Sequence, residues 1–291
     1  MCDQDSFDDM LQYDLKAVEL SRRRFAALGV GLGASSLLPR IAGAVEVKDQ
    51  DVEIKTADGT CDAHFAHPAS GKGPAVLVWP DIFGLRASFK QMGRRLAESG
   101  YSVLTVNPFY RLQKAPTSPQ GANMQDPEVR TKLVGQMGSL TAETHVADST
   151  AFMAWLDRQS SVDVKKKAGT TGYCMGGPIT MRAAAAMPSR IGAAASFHGA
   201  ALVTDKPDSP HLLVPKMKAR YLFAIAQNDD QGQPEAKTVL RDTFAKAKLP
   251  AEIEVYPAQH GWCPPDGRVY DHDQAEKAWA RLLALFKAGL V

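Results

Sequence analysis

The sequence predicts an α/β fold: a mainly parallel, twisted sheet with helices on both faces. Three observations point there. From residue 51 onward, short apolar runs alternate with longer segments of helical period. One run, "AVLVWP" (Ala75–Pro80), is continuously apolar, as expected of a strand covered on both faces, and "YSVLTVNP" (Tyr101–Pro108) reads as another buried strand. The residues with chemical potential fall just past the ends of such runs, where ligands sit in sheets of this kind.

The elements follow in order. "VEIKT" and "CDAHFAHP" (Val52–Thr56, Cys61–Pro68) predict two opening strands with a turn at "ADG". The buried strand 75–80 is followed by a helix over 87–99, then by the buried strand 101–108. Residues 113–140, rich in Pro, Gly and polar side chains, predict a loop region with a short helix. A helix is expected over 143–159, a strand at "AGTTGY" (Ala168–Tyr173) and a helix over 178–187. Strands at Ile191–His198, Ala219–Ala226 and Ala251–Pro257 come next, with helices over 234–247 and 273–288.

Composition bounds the function. The chain has 291 residues, 45% of them apolar and 23% charged, enough for one large domain with a substantial core. A net charge of +2 gives no basic field of the kind nucleic-acid binding needs, so no nucleic-acid partner is expected. Residues 1–44 differ from the rest. Arg22, Arg23 and Arg24 precede a moderately apolar run from Phe25 to Leu38, and Ala42, Gly43 and Ala44 supply small residues, which reads as an export signal. The paired arginines before Phe25 resemble a twin-arginine signal, implying the twin-arginine export machinery as partner and a periplasmic or secreted protein. An amphipathic helix or a membrane anchor is the alternative. The run is short for a bilayer, and Pro39 and Arg40 interrupt it, so no stable span is expected after signal removal. Residues 45–291 then form a single domain. Its three cysteines, Cys61, Cys174 and Cys263, are an odd number for an oxidising compartment. One arrangement pairs Cys61 with Cys263 and leaves Cys174 free.

The candidate site begins at "TTGYCMGG" (Thr170–Gly177). Cys174 stands between Gly172 and Gly176, after a strand and before a helix, in the context of a nucleophile elbow with sulfur in place of oxygen. Small flanking residues suit the strained turn. The helix offers its N-terminus to the sulfur, which favours the thiolate, and the N–H of Met175 is one half of an oxyanion hole. A buried structural cysteine or a phosphate-binding glycine turn is the plainer alternative. Asp229, just past a predicted strand, is placed to orient a histidine; adjacent Asp230 could do the same, and either could instead make its own Asx turn. His260 follows the last predicted strand. Cys174, Asp229 and His260 thus stand in the order nucleophile, acid, histidine. That set points to attack on an ester, lactone or thioester carbonyl, with His260 handling the proton and Asp229 fixing the tautomer.

On these residues the chain resembles the dienelactone hydrolase family. "GYCMGG" matches its nucleophile segment, "HGW" (His260–Trp262) its histidine segment, and "WPDIFGLR" (Trp79–Arg86) the segment after its first central strand. The resemblance runs from about residue 51 to 288. It implies an α/β-hydrolase fold without a large cap domain, and hydrolysis of a small ester or lactone in the manner of a carboxymethylenebutenolidase, with no cofactor. It also implies that Ile82 gives the second oxyanion N–H. It further implies that the acid at Asp81, a glutamate in the family, pairs with the resting thiol and gates it, and that Arg111 holds a substrate carboxylate. Asp81 is one methylene shorter than that glutamate, so either it reaches Cys174 through a changed backbone or the gating differs.

His198 ends a strand and could line the pocket or serve as a hydrogen-bonded terminus. Tyr110, Trp262 and Phe83 are candidate apolar walls or core. No Cys/His/Asp cluster, His64 and His67 included, has metal-site spacing, so no metal is expected. A second class of function remains open: a thiol redox enzyme or peroxide sensor using Cys174, with Cys263 as the resolving thiol.

Overall fold

The computed structural model describes residues 43–119 and 121–291. The expected signal over 1–44 lies outside the described residues except for Gly43 and Ala44. Among the described residues no helix is long and apolar enough to cross a membrane.

Eight strands form one sheet: β1 (Val47–Thr56), β2 (Gly59–Pro68), β3 (Ala75–Trp79), β4 (Ser102–Val106), β5 (Ala168–Tyr173), β6 (Ile191–Phe197), β7 (Arg220–Ala226) and β8 (Ala251–Tyr256). Their order is β1-β2-β4-β3-β5-β6-β7-β8. β1 pairs antiparallel with β2, and β2 antiparallel with β4; every pairing from β4 across to β8 is parallel. The hairpin strands begin earlier and run longer than the expected segments. β3, β4 and β5 are buried along their whole length, which is why their sequences do not alternate.

Alternate residues of these strands feed two cores. Val76, Val78, Ala193 and Ala195 pack with Phe89 and Leu96 of α1 (Ala87–Glu98) and with Leu282 and Phe286 of α7 (His272–Gly289). Leu77, Leu104, Ala194 and Phe223 pack on the other face with α3 (Ala142–Leu156), α4 (Gly176–Ala186) and α6 (Ala236–Lys246), through Phe152, Ile179 and Phe244. The helix in the 113–140 region is α2 (Pro127–Met137). Asp126 caps it by accepting from the N–H groups of Glu128 and Val129, and Pro127 sits where no amide hydrogen is missed. Thr141 and Thr144 form a reciprocal capping box at the start of α3.

Two turns were not legible as elements. A 3₁₀ helix spans Pro210–Lys216 and a six-residue helix, α5, spans Gln227–Gly232. α5 buries none of its residues, so it has no apolar period to read. α4 starts at Gly176, two residues ahead of the expected 178, because the chain enters the helix directly from the turn at Cys174.

Phe152 is fully buried, 5.8 Å from the ring of Trp79 and 6.2 Å from that of Tyr110. Phe152→Ala is expected to cost about 3–5 kcal/mol, read as a lowered midpoint of urea unfolding.

Candidate active site

β5 delivers Cys174 into a conformation that side chains rarely adopt, with φ +54°. The surrounding backbone holds it there. Its N–H donates to Phe197 O at 3.1 Å, and its carbonyl accepts from the N–H of Gly177 at 3.0 Å and of Ala200 at 3.3 Å. The flanking glycines are steric necessities. A Cβ on Gly172 would lie 2.1 Å from Gly176 O, and one on Gly176 would lie 2.6 Å from Trp79 O. The sulfur therefore stands at the N-terminus of α4, in the positive end of its dipole.

The second group comes from the far edge of the sheet. α5 follows β7 and presents Asp229; the loop after β8 presents His260. Nδ1 of His260 lies 2.9 and 2.8 Å from the two carboxylate oxygens of Asp229. Asn228 Oδ1 accepts the backbone N–H of His260 at 2.8 Å and fixes the loop itself. Asp230 turns the other way, to Lys237 Nζ at 2.6 and 2.7 Å, so the choice between the two acids falls to Asp229. Burial alone would pull the His260 pKa down. The charge of Asp229 and that of Cys174, with hydrogen bonds to both, hold it well above the usual histidine value. With Nδ1 on the carboxylate, Nε2 is the nitrogen left for the sulfur.

Two amides complete the geometry. Neither Met175 nor Ile82 donates its backbone N–H to an acceptor among the described residues, although both residues are buried. Phe83 N–H, by contrast, donates to the Asp81 carboxylate and Gly84 N–H to Asp81 O, which leaves the Ile82 amide between them uncommitted. Around the sulfur the packing is apolar. Cys174 and Met175 share a buried cluster with Ile82, Phe109, Met124 and Leu133. Phe83, Val129, Met137 and Leu140 pack against it, so α2 and its flanks cover this side of the sulfur.

The sequence profile of the dienelactone hydrolase family matches residues 61–290. The chain belongs to this family. It is 29% identical over 232 residues to a provisionally named carboxymethylenebutenolidase of Escherichia coli, covering 77% of this chain and 81% of that one. It is 28% identical over 297 residues to a protein of the same provisional name from Methylorubrum extorquens, covering 97% and 98%. Among solved structures, a provisionally named dienelactone hydrolase from Klebsiella pneumoniae superposes with TM-score 0.70 at 25% identity, over 83% of this chain and 99% of that one. A dienelactone hydrolase-like promiscuous phosphotriesterase from metagenomic libraries shares the fold at TM-score 0.70 and 22% identity, over 86% and 100%. The protein is thus a hydrolase with the dienelactone hydrolase fold, and it carries no large cap domain among the described residues.

Two residues depart from what the resemblance implies. Asp81 is buried, but its carboxylate is held by Arg86, at 2.6 and 2.9 Å, and by the N–H of Phe83 at 3.0 Å. No hydrogen bond joins it to Cys174 among the described residues, so the shorter acid is not paired with the thiol. Arg86 also grips Asp266, at 2.7 and 3.1 Å, across 180 residues of sequence. Burial opposes its charge, and the two carboxylates more than restore it. Arg111 is likewise taken. It bonds both oxygens of Asp148 at 2.7 Å and Asp58 at 2.6 and 3.0 Å, and lies over the Tyr110 ring.

The remaining candidates divide. Phe83 packs at the site. Trp262 is core, stacked on Tyr256 at 5.3 Å, and Tyr110 bonds Asp148 and Thr56. His198 is fully buried with neither ring nitrogen bonded, its ring 5.0 Å from that of His260. Burial, and then the charge of His260, keep it neutral. His64 sits between Asp49 and Asp51, and His67 bonds Pro68 O. All three described cysteines are free. Cys61 and Cys263 lie in cores on opposite faces of the sheet, so they do not pair; Cys263 also lies in a different cluster from Cys174. Sequence reasoning missed Asn228, Arg86 and Asp266. A basic residue, Arg86, five positions after Asp81 was the available signal.

In the Asp229→Asn variant, burial remains but the larger of the two raising charges is gone. The His260 pKa is then expected to fall below that of the unsubstituted protein, while Asp230→Asn leaves it where it is; an NMR titration of the imidazole reads both. In the unsubstituted protein, the folded-state pKa exceeds the unfolded one. The stabilisation is therefore complete below about pH 6.5 and is lost as pH rises through the folded value.

Proposed function

We propose that this protein hydrolyses a small carboxylic ester or lactone through an acyl-thioester on Cys174, as the names of its carboxymethylenebutenolidase relatives suggest. One observation supports the reading: a largely buried imidazole whose Nδ1 lies against the Asp229 carboxylate, its pKa raised by Asp229 and Cys174. Nε2 of His260 holds the proton given up by the Cys174 thiol, and the thiolate Sγ bonds to the carbonyl carbon. The carbonyl oxygen becomes negative and receives the N–H groups of Met175 and Ile82. As the carbonyl re-forms, the ester C–O bond breaks; the alkoxide leaves with the electron pair and takes the proton from His260. Water, deprotonated by the same nitrogen, then attacks the thioester. The acid is released and the proton returns to sulfur. Asp229 keeps the working tautomer and stabilises the imidazolium throughout.

Export belongs to the same reading. The signal pattern over 1–44 supports delivery by the twin-arginine machinery to the periplasm or beyond. The chain past that pattern is already anchored, with Val45 N–H donating to Glu98 O at 3.0 Å.

The full chain mixed with para-nitrophenyl acetate is expected to gain one acetyl group on Cys174, located by mass spectrometry, and to release para-nitrophenol. Cys174→Ala should show neither, and His260→Ala should lose about 1,000-fold or more in kcat/KM. Undiminished turnover by Cys174→Ala would sink the reading.

A further inference from the structure

The surroundings of the sulfur also bear on what kind of acyl group it accepts. The buried side chains grouped with Cys174 are Ile82, Phe109, Met124, Leu133 and Met175, and none carries a charge or a side-chain hydrogen-bond donor. A carboxylate brought among them would lose its water and gain no partner. The arginines that could have served are spent. Arg86 makes five hydrogen bonds, to Asp81, Asp266 and Gly84 O. Arg111 makes four, to Asp58 and Asp148. Each guanidinium faces two carboxylates, so neither has net positive charge to offer. Freeing either would strip a buried acid, Asp81 or Asp148, of its counter-ion. Arg130 of α2 has no ion-pair partner among the described residues. It stands on the flank of the helix, half-exposed, beside the face that turns Val129 and Leu133 inward.

We infer that the acyl pocket takes uncharged, apolar acyl groups and rejects acyl groups that bear a carboxylate, because its wall is Phe109, Met124 and Leu133 and the neighbouring arginines Arg86 and Arg111 are each held by two acids. The inference rests on the Cys174 hydrolase reading above and narrows its substrate class to neutral esters and lactones. It sets this chain apart from the carboxylate-bearing substrates that the resemblance at Arg111 implied.

The test compares two esters with one leaving group and acyl chains of equal length. Para-nitrophenyl butyrate ends in a methyl group, and mono-para-nitrophenyl succinate ends in a carboxylate. For the full chain, kcat/KM is expected to favour the butyrate by about 100-fold or more, after correction for the esters' own reactivity toward a free thiol. Arg130→Gln should leave that ratio in place. Met124→Arg, which puts a cation into the wall, should narrow it. Succinate turnover equal to that of butyrate, with Cys174 acylated by both, would overturn the pocket inference and leave the hydrolase reading standing. So would a succinate activity that vanishes in Arg130→Gln. If neither ester leaves an acyl group on Cys174, the hydrolase reading falls and this inference with it. The wild-type comparison decides the matter even if Met124→Arg does not fold.

Discussion

The carboxyl edge of this sheet depends on one close backbone approach. The end of β5 and the first turn of α4 come so near that a Cβ on Gly172 would lie 2.1 Å from Gly176 O. Only with both positions empty can the chain turn sharply enough to put Cys174 at φ +54°. The rest follows from that turn. α4 starts at once, so its N-terminus and the Met175 amide face the sulfur. Gly176 also lets the exit of β3 close in, since its Cβ would meet Trp79 O and Pro80 O. That contact brings the segment carrying Ile82 alongside α4. A steric rule about two hydrogens thereby positions Cys174 together with the Met175 and Ile82 amides.

The electrostatics are a contest between burial and partnering. Burial disfavours a charged His260, and Asp229 with Cys174 outweighs it. His198, one ring away, has no such partner and stays neutral. The same contest is settled differently at Arg86 and Arg111, whose charges persist because each is enclosed by two carboxylates. One acid makes His260 a stronger base, whereas two acids leave an arginine with nothing to offer a ligand.

Much of this was readable from the chain. A continuous apolar run marked β3, and the glycine spacing around Cys174 marked the elbow, because each has a local cause. His260 and Asp229 were readable from their places after strands. The choice of Asp229 over Asp230 needed coordinates, since it depends on Lys237 drawing Asp230 away. The fates of Asp81 and Arg111 were not readable. Asp81 is decided by Arg86 together with Asp266, and Arg111 by Asp58 together with Asp148, partners that no local pattern announces. α5 was missed because it buries nothing, yet it carries the acid that meets His260.

The position of β8 has a consequence for when the protein becomes competent. Among the described residues β8 is an outer strand paired with β7 alone, and His260 lies in the loop that leaves it. A nascent chain still short of this strand already holds the Cys174 turn, the Met175 and Ile82 amides and Asp229, but not the imidazole that Asp229 meets. Synthesis therefore supplies His260 late, with only α7 left to close its face of the sheet.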